Sequence, residues 1–159
     1  MIGTLRGVVR GTVAWTVGYL LMVGLVLVGV AESGSGTVGA AASAFVAAHV
    51  LPPAEASIEP LALGAVPLVA VGAVGYRAGV RRQSGVLSRL RSALPVVGES
   101  DRSRPRYALR SGGTLAVGYA LVTAVVAIAI DASIGPVAAS AFLTALLVAV
   151  PAAFVGTMR

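Results

Sequence analysis

In a chain of 159 residues, 57% hydrophobic and 11% charged side chains, with a mean hydropathy of +0.93, leave too little polar surface to coat a water-soluble globule. Soluble domains carry roughly 25% charged residues, so the composition marks an integral membrane protein. The net charge of +6 rests on twelve arginines and no lysine, nine of them between Arg77 and Arg110; the retention of basic residues in cytoplasmic loops explains that cluster better than nucleic-acid binding does. The absence of cysteine excludes disulfides and thiolate chemistry, and the absence of asparagine excludes an N-glycosylation acceptor.

In chain order, Met1 to Arg10 is a short basic lip with Gly3, Gly7 and Gly11 at four-residue spacing, the pattern of a close-packing helix face. Residues 11–30 are free of charge and, as a helix of about 30 Å, span the hydrocarbon. Gly29-Val30-Ala31 after an n-region with Arg6 and Arg10 has the look of a signal-peptidase site, but the apolar run is long for a signal peptide, and a span is the expectation. Gly34 to Gly39 matches G-x-G-x-x-G in form only, since it follows a membrane helix instead of a strand. Residues 37–51 form a shorter, alanine-rich apolar helix ending at Pro52-Pro53, with Gly36, Ala40, Ala44 and Ala48 as a small-residue row. Such a segment is a short crossing, a re-entrant helix or an interfacial one.

Glu55 and Glu59 stand in a polar stretch without basic residues, and residues 60–79 then form a span interrupted by Pro67. Residues 77–110 make the basic loop. Within it Val86, Leu87, Leu90 and Leu94 at helical spacing, with Arg81, Arg82, Arg89 and Arg91 on other faces, read as a surface amphipathic helix touching lipid head groups. Two more spans, residues 111–130 and 137–157, flank a turn at Asp131 to Pro136.

The chain repeats itself. Arg10-Gly11-Thr12 with Val17-Gly18-Tyr19 returns as Arg110-Ser111-Gly112 with Val117-Gly118-Tyr119, with Arg6 and Arg106 four residues upstream in each copy. Ala41-Ala42-Ser43-Ala44-Phe45 returns as Ala138-Ala139-Ser140-Ala141-Phe142. The pattern suggests an internal repeat of a basic lip and two apolar segments.

Charge then sets the topology. Four crossings, with residues 37–51 not crossing, put all twelve arginines on the inner side and Glu32, Glu55, Glu59 and Asp131 outside. Five crossings with the N-terminus outside leave ten arginines inside and two outside, and five with the N-terminus inside put ten on the wrong face. Trp15, Tyr76 and Tyr107 would anchor the inner interface in the four-crossing arrangement; the repeat favours five, because it matches residues 37–51 to a segment that spans. Four is the working expectation, with both termini cytoplasmic.

Candidate chemistry is sparse. His49, the single histidine, is a candidate relay or ligand with Glu55 or Glu59 as partners, but a metal needs three or four ligands at workable spacing. Leu146 stands at its place in the second half. A hydrogen-bonded or interfacial histidine is the simpler reading. Glu32 and Asp131 occupy matching outer ends of the repeat helices, where terminating a helix is the simpler role than intramembrane chemistry. Tyr19 and Tyr119 are the most repeated polar-capable residues, with a tyrosine packed between helices as the simpler account. No nucleophile–base pair, phosphate loop or catalytic carboxylate pair stands out, so no enzyme and no cofactor are expected.

The Val-Gly-Tyr helix openings, Ala48-His49 before an outer loop, Gly75-Tyr76 running into Arg77, and Asp131 to Pro136 before an Ala/Val-rich helix resemble an uncharacterised family of small haloarchaeal multi-pass membrane proteins, sometimes labelled transporters. That family is richer in aromatics around Phe45 to Val50 and has a longer outer loop. The resemblance implies a membrane fold and no substrate. The expectation is therefore a single domain, all-α: a polytopic membrane bundle of four transmembrane helices plus one short re-entrant or interfacial helix, in the cell membrane. It would be non-catalytic and associate with itself or a membrane partner; the alternative is a small transporter component for a neutral or apolar solute.

Overall fold

The computed structural model describes residues 2–28, 37–49, 58–80 and 103–158. Five helices follow in order: α1 (Ile2–Leu27), α2 (Thr37–Ala47), α3 (Ile58–Val80), α4 (Ser103–Ala129) and α5 (Ile134–Gly156). Among the described residues there is no strand. Four of the helices are long and apolar enough to cross a membrane, and α2 is too short. Leu20, Val125, Ile128 and Leu147 turn their side chains outward. Such surface is stable only where the surroundings are hydrocarbon.

The helices outrun the uncharged runs. α1 begins at Ile2, ahead of residue 11, and α4 at Ser103, ahead of residue 111. α3 continues past Arg77 to Val80. The hydrocarbon boundary does not end a helix, because the arginine side chains extend along the helix towards the head groups while the backbone stays hydrogen-bonded. The expected basic loop of 77–110 thus yields both flanks to helices, and its middle, with the proposed surface helix, lies outside the described residues. So do Gly29-Val30-Ala31, Glu32, Gly34, Glu55 and the Glu59 side chain.

α4 packs on α1 and α5, and α3 closes the ring on their far sides. Gly72 lies beside Val148, Gly75 beside Ala149, and Gly79 beside Ala153 and Gly156, so α3 and α5 run in the same direction. Gly18 meets Ala70, and Leu25 shares a groove with Ala65 and Val66; α1 therefore runs against α3. α5 returns against α4 across a short turn, which leaves α1 parallel to α4. The chain crosses once per long helix, and the starts of α1 and α4 meet the ends of α3 and α5 at one end of the bundle.

Burial inside a bilayer brings no hydrophobic gain between helices, so close approach must supply the packing energy. The sequence provides it with small residues at four-residue spacing. On α5 the buried row is Val137, Ala141, Ala145, Ala149, Ala153 and Gly156. Between α1 and α4 contact is backbone to backbone. A Cβ on Gly11 would sit 2.3 Å from the Leu115 carbonyl oxygen and 2.5 Å from the Tyr119 nitrogen, and one on Gly118 would sit 2.3 Å from the Val8 oxygen. The glycine ladder of the basic lip is thus the α1 side of a helix crossing. Threonine hydroxyls within the spans return to their own helix: Thr16 donates to the Thr12 carbonyl at 3.0 Å and Thr123 to that of Tyr119 at 2.9 Å, which satisfies them without water.

α4 ends in a Schellman turn. The Ala132 amide donates to the Ala127 carbonyl (2.8 Å) and the Asp131 amide to that of Ile128 (3.2 Å), with Asp131 at φ 56°. This is the left-handed position that follows a helix C-terminus. The Asp131 side chain is exposed.

Candidate functional site

α2 enters the half of the bundle that holds the end of α1 and stops inside it. Its buried face is Ala41, Phe45 and His49, one helical turn apart, and not the Ala40, Ala44, Ala48 row. Of that row Ala40 is buried and Ala44 and Ala48 are partly buried against the same core. Phe45 fills the gap left by Gly18, where a Cβ would come within 2.8 Å of its ring. Trp15 meets the same ring edge-on at 5.3 Å and stacks on Tyr19 at 5.2 Å. Trp15 is 8% exposed, so it belongs to the core and is not an anchor at the inner interface. Phe45 draws it inward, because an apolar ring seated on Gly18 offers an edge-to-face partner.

His49 ends the helix. Its ring lies 5.1 Å from Phe45 and 5.4 Å from Tyr119, centroid to centroid. Nδ1 is 2.7 Å from the Phe45 carbonyl oxygen and Nε2 is 2.8 Å from the Tyr119 hydroxyl. A carbonyl only accepts, so Nδ1 carries the proton in the neutral ring. Nε2 then accepts from the tyrosine O–H. The His49 carbonyl, free at the helix end, accepts from the Ser140 hydroxyl of α5. Tyr119 belongs to a buried α4 row with Ser111, Leu115, Thr123 and Ala127. The ten residues from Tyr119 to Ala129 place the pair about 15 Å from the C-terminal end of α4.

Polar groups at this depth are costly unless paired. The cluster meets that condition at His49, Tyr119 and Ser140, and again where the Tyr19 hydroxyl donates to the Val38 carbonyl at 3.1 Å. The exception is the buried Trp15 Nε1, which has no hydrogen-bond partner among the described residues. The arrangement can accept or release one proton at His49 and can hold α2 in place. Among the described residues no three His, Cys, Asp or Glu side chains come together.

Of the candidate residues, the structure joins His49 to Tyr119 and places Tyr19 against the same aromatic group. Asp131 stands apart at the turn between α4 and α5. Glu32, Arg81, Arg82, Arg89 and Arg91 lie outside the described residues, as does Glu55, one of the two acids considered as partners for His49. Sequence reasoning passed over Phe45, Ser140 and Trp15 as site residues. A signal existed for two of them: Phe45 and Ser140 both belong to the repeated Ala-Ala-Ser-Ala-Phe segment.

A second feature lies outside the cluster. Between the C-terminal half of α1 and the N-terminal half of α3 an apolar groove of about 430 Å³ is lined by Leu21, Gly24 and Leu25 with Ala65, Val66 and Val69. Gly24 and Gly64 have open space where a side chain would be. Compared with protein-family models, curated proteins and solved structures, the chain finds no match in any of the three.

Proposed function

We propose that the chain is a non-catalytic membrane protein that acts by assembly, receiving a transmembrane helix of a second copy or of a partner protein in the α1–α3 groove. The supporting observation is the open notch at Gly24. The other glycines of the long helices largely meet backbone or side chains of their neighbours, whereas Gly24 lets a foreign backbone come close, the feature that drives helix association in lipid. Ala40 and Ala44 suit this role less well, because they already face the core. Both termini on the cytoplasmic face, the side to which the arginine distribution assigns them, complete the reading. The test replaces Gly24 with Leu. Native mass spectrometry in mild detergent should show the wild type as a defined oligomer or with a co-purifying membrane protein, and the variant as a monomer of unchanged melting temperature. A wild-type monomer without a partner would overturn the reading.

A transporter component is the second reading. It is favoured by one observation, that α2 stops at mid-depth beside a proton-carrying pair. Broken helices whose ends lie near the bilayer midplane are a feature of many transporters, and a helix C-terminus there favours positive charge. Proteoliposomes would show solute or proton flux that is lost in His49→Leu; no flux across a broad panel argues against it.

A further inference from the structure

One residue ties the end of α2 to both α4 and α5. The His49 amide donates to the Val46 carbonyl at 3.1 Å, and the His49 carbonyl accepts from Ser140 of α5. Its ring bridges the Phe45 carbonyl and the Tyr119 hydroxyl of α4. α2 is also the helix too short to cross, so it can leave the bundle without drawing a span through the bilayer. The pairing requires a neutral ring, because Nε2 must keep its lone pair to accept from Tyr119. A proton on Nε2 turns that acceptor into a donor. The Tyr119 O–H then loses the acceptor it has, and a cation lies between the Phe45 and Tyr119 rings in a residue only 3% exposed.

A charge in that setting is costly, and the dipole of an eleven-residue helix offsets only part of the cost. Among the described residues, the titratable groups facing α2 are Tyr119 of α4 and Tyr19 of α1, whose hydroxyl donates to Val38. Arg10 and Arg110 stand nine residues before these tyrosines, about 13 Å along each helix. Arg77 of α3 follows Gly75, which lies beside Ala149, well along α5 from Ser140. α5 itself carries no charged side chain, and Asp131 is exposed in the turn before it. We propose that His49 is a proton-operated latch. Neutral, it holds α2 in the bundle; protonated from water, it releases α2 and opens the gap between α1 and α4 that Phe45 fills. The latch rests on where α2 ends and on neither reading of function above. Its sign follows from linkage. A histidine in water takes up a proton near pH 6.5, so release consumes a proton, and docking is fully held above that pH and lost below it. The midpoint lies below 6.5 by about one pH unit for each tenfold by which neutral docking outweighs release.

The chain contains one tryptophan and one histidine, and each reports on one side of the latch. Trp15 meets Phe45 edge-on, so departure of α2 should shift its emission to the red and raise its quenching by acrylamide. Nitrogen NMR of histidine-labelled protein reads the His49 ring directly, as a neutral Nδ1–H tautomer or as imidazolium. The full chain in phosphatidylcholine nanodiscs is titrated from pH 8 to pH 4.5. Both signals should change reversibly with one midpoint below 6.5. His49→Gln, which keeps a hydrogen-bonding side chain but does not titrate, should hold the pH 8 emission throughout. Tyr119→Phe should weaken neutral docking about fivefold and raise the midpoint by about 0.7 pH units. Constant Trp15 emission in the wild type would overturn the latch. So would the same shift in His49→Gln, an unmoved midpoint in Tyr119→Phe, or a ring that protonates while Trp15 stays unchanged. Should His49→Gln fail to fold, the coincidence of the two wild-type midpoints decides, and separate midpoints overturn the proposal.

Discussion

The two ends of the bundle solve the same packing problem in opposite ways. At the end where α1 and α4 begin, they touch through Gly7, Gly11 and Gly118 with nothing between them. Towards the other end α2 is wedged beside α1 and α4, and Phe45, Trp15 and Tyr19 fill the space with aromatic rings. Parallel helices that meet closely at one end diverge at the other, and a short helix carrying the single large ring of Phe45 occupies the opening. Depth in the membrane therefore decides which residues matter: small ones where backbones meet, large and paired polar ones where they part.

The strongest challenge to that contrast is a side chain at the crossing. Gly11→Leu should separate α1 from α4 and destabilise the protein by roughly 4 kcal/mol, the range of severe core substitutions, as read by denaturant titration in detergent micelles. Gly24→Ala, on the same helix but in open space, should change stability by less than about 0.5 kcal/mol. If the two glycines respond alike, the crossing is not where the structure puts it.

Removing the wedge comes next. Phe45→Ala should cost roughly 3 kcal/mol through the cavity left among Gly18, Trp15 and His49. It should also expose single cysteines placed on α2 to a membrane-impermeant reagent. A smaller effect is expected at the polar end of the wedge. Tyr119→Phe keeps the ring and removes the donor to His49 Nε2, so a loss of about 1 kcal/mol is expected; His49→Leu in the Tyr119→Phe background should then add little. The smallest effect is at the turn between α4 and α5. Asp131→Gly relieves the left-handed backbone of a residue with a Cβ and should stabilise by about 0.5 kcal/mol in the same titration.

The large features of this fold were legible in the sequence for a physical reason. Uncharged runs of about twenty residues have few stable alternatives to spanning helices, and the run ending at Pro52 is too short to be one of them. The role of Asp131 as a helix terminator was visible from its place between two such runs, and the Gly7–Gly11 spacing announced a helix contact. The partner of that contact was not visible. Nor was the joining of His49 to Tyr119, because two residues seventy positions apart meet only when α2 stops inside the bundle. The buried face of α2 was obscured by its composition: in Thr37–Ala47 nearly every side is small and apolar, so periodicity does not separate the Ala41–Phe45–His49 face from the Ala40–Ala44–Ala48 row. Trp15 deceived for a related reason. Its distance from Arg10 suits an interfacial anchor, and only the presence of Phe45 turns it inward.

The central claim is that α1 and α4 are parallel, with α2 entering the bundle without crossing it. The absence of native cysteine makes a direct test available. Single cysteines at Ser33, between α1 and α2, and at Ser133, between α4 and α5, are labelled in intact cells with a membrane-impermeant maleimide. Arg104→Cys, at the other end of the bundle, serves as the control. Ser33→Cys and Ser133→Cys should react alike, from the face opposite to Arg104→Cys. Reaction of Ser33→Cys and Ser133→Cys from opposite faces would mean that α2 crosses the membrane, and the account of the wedge would be wrong.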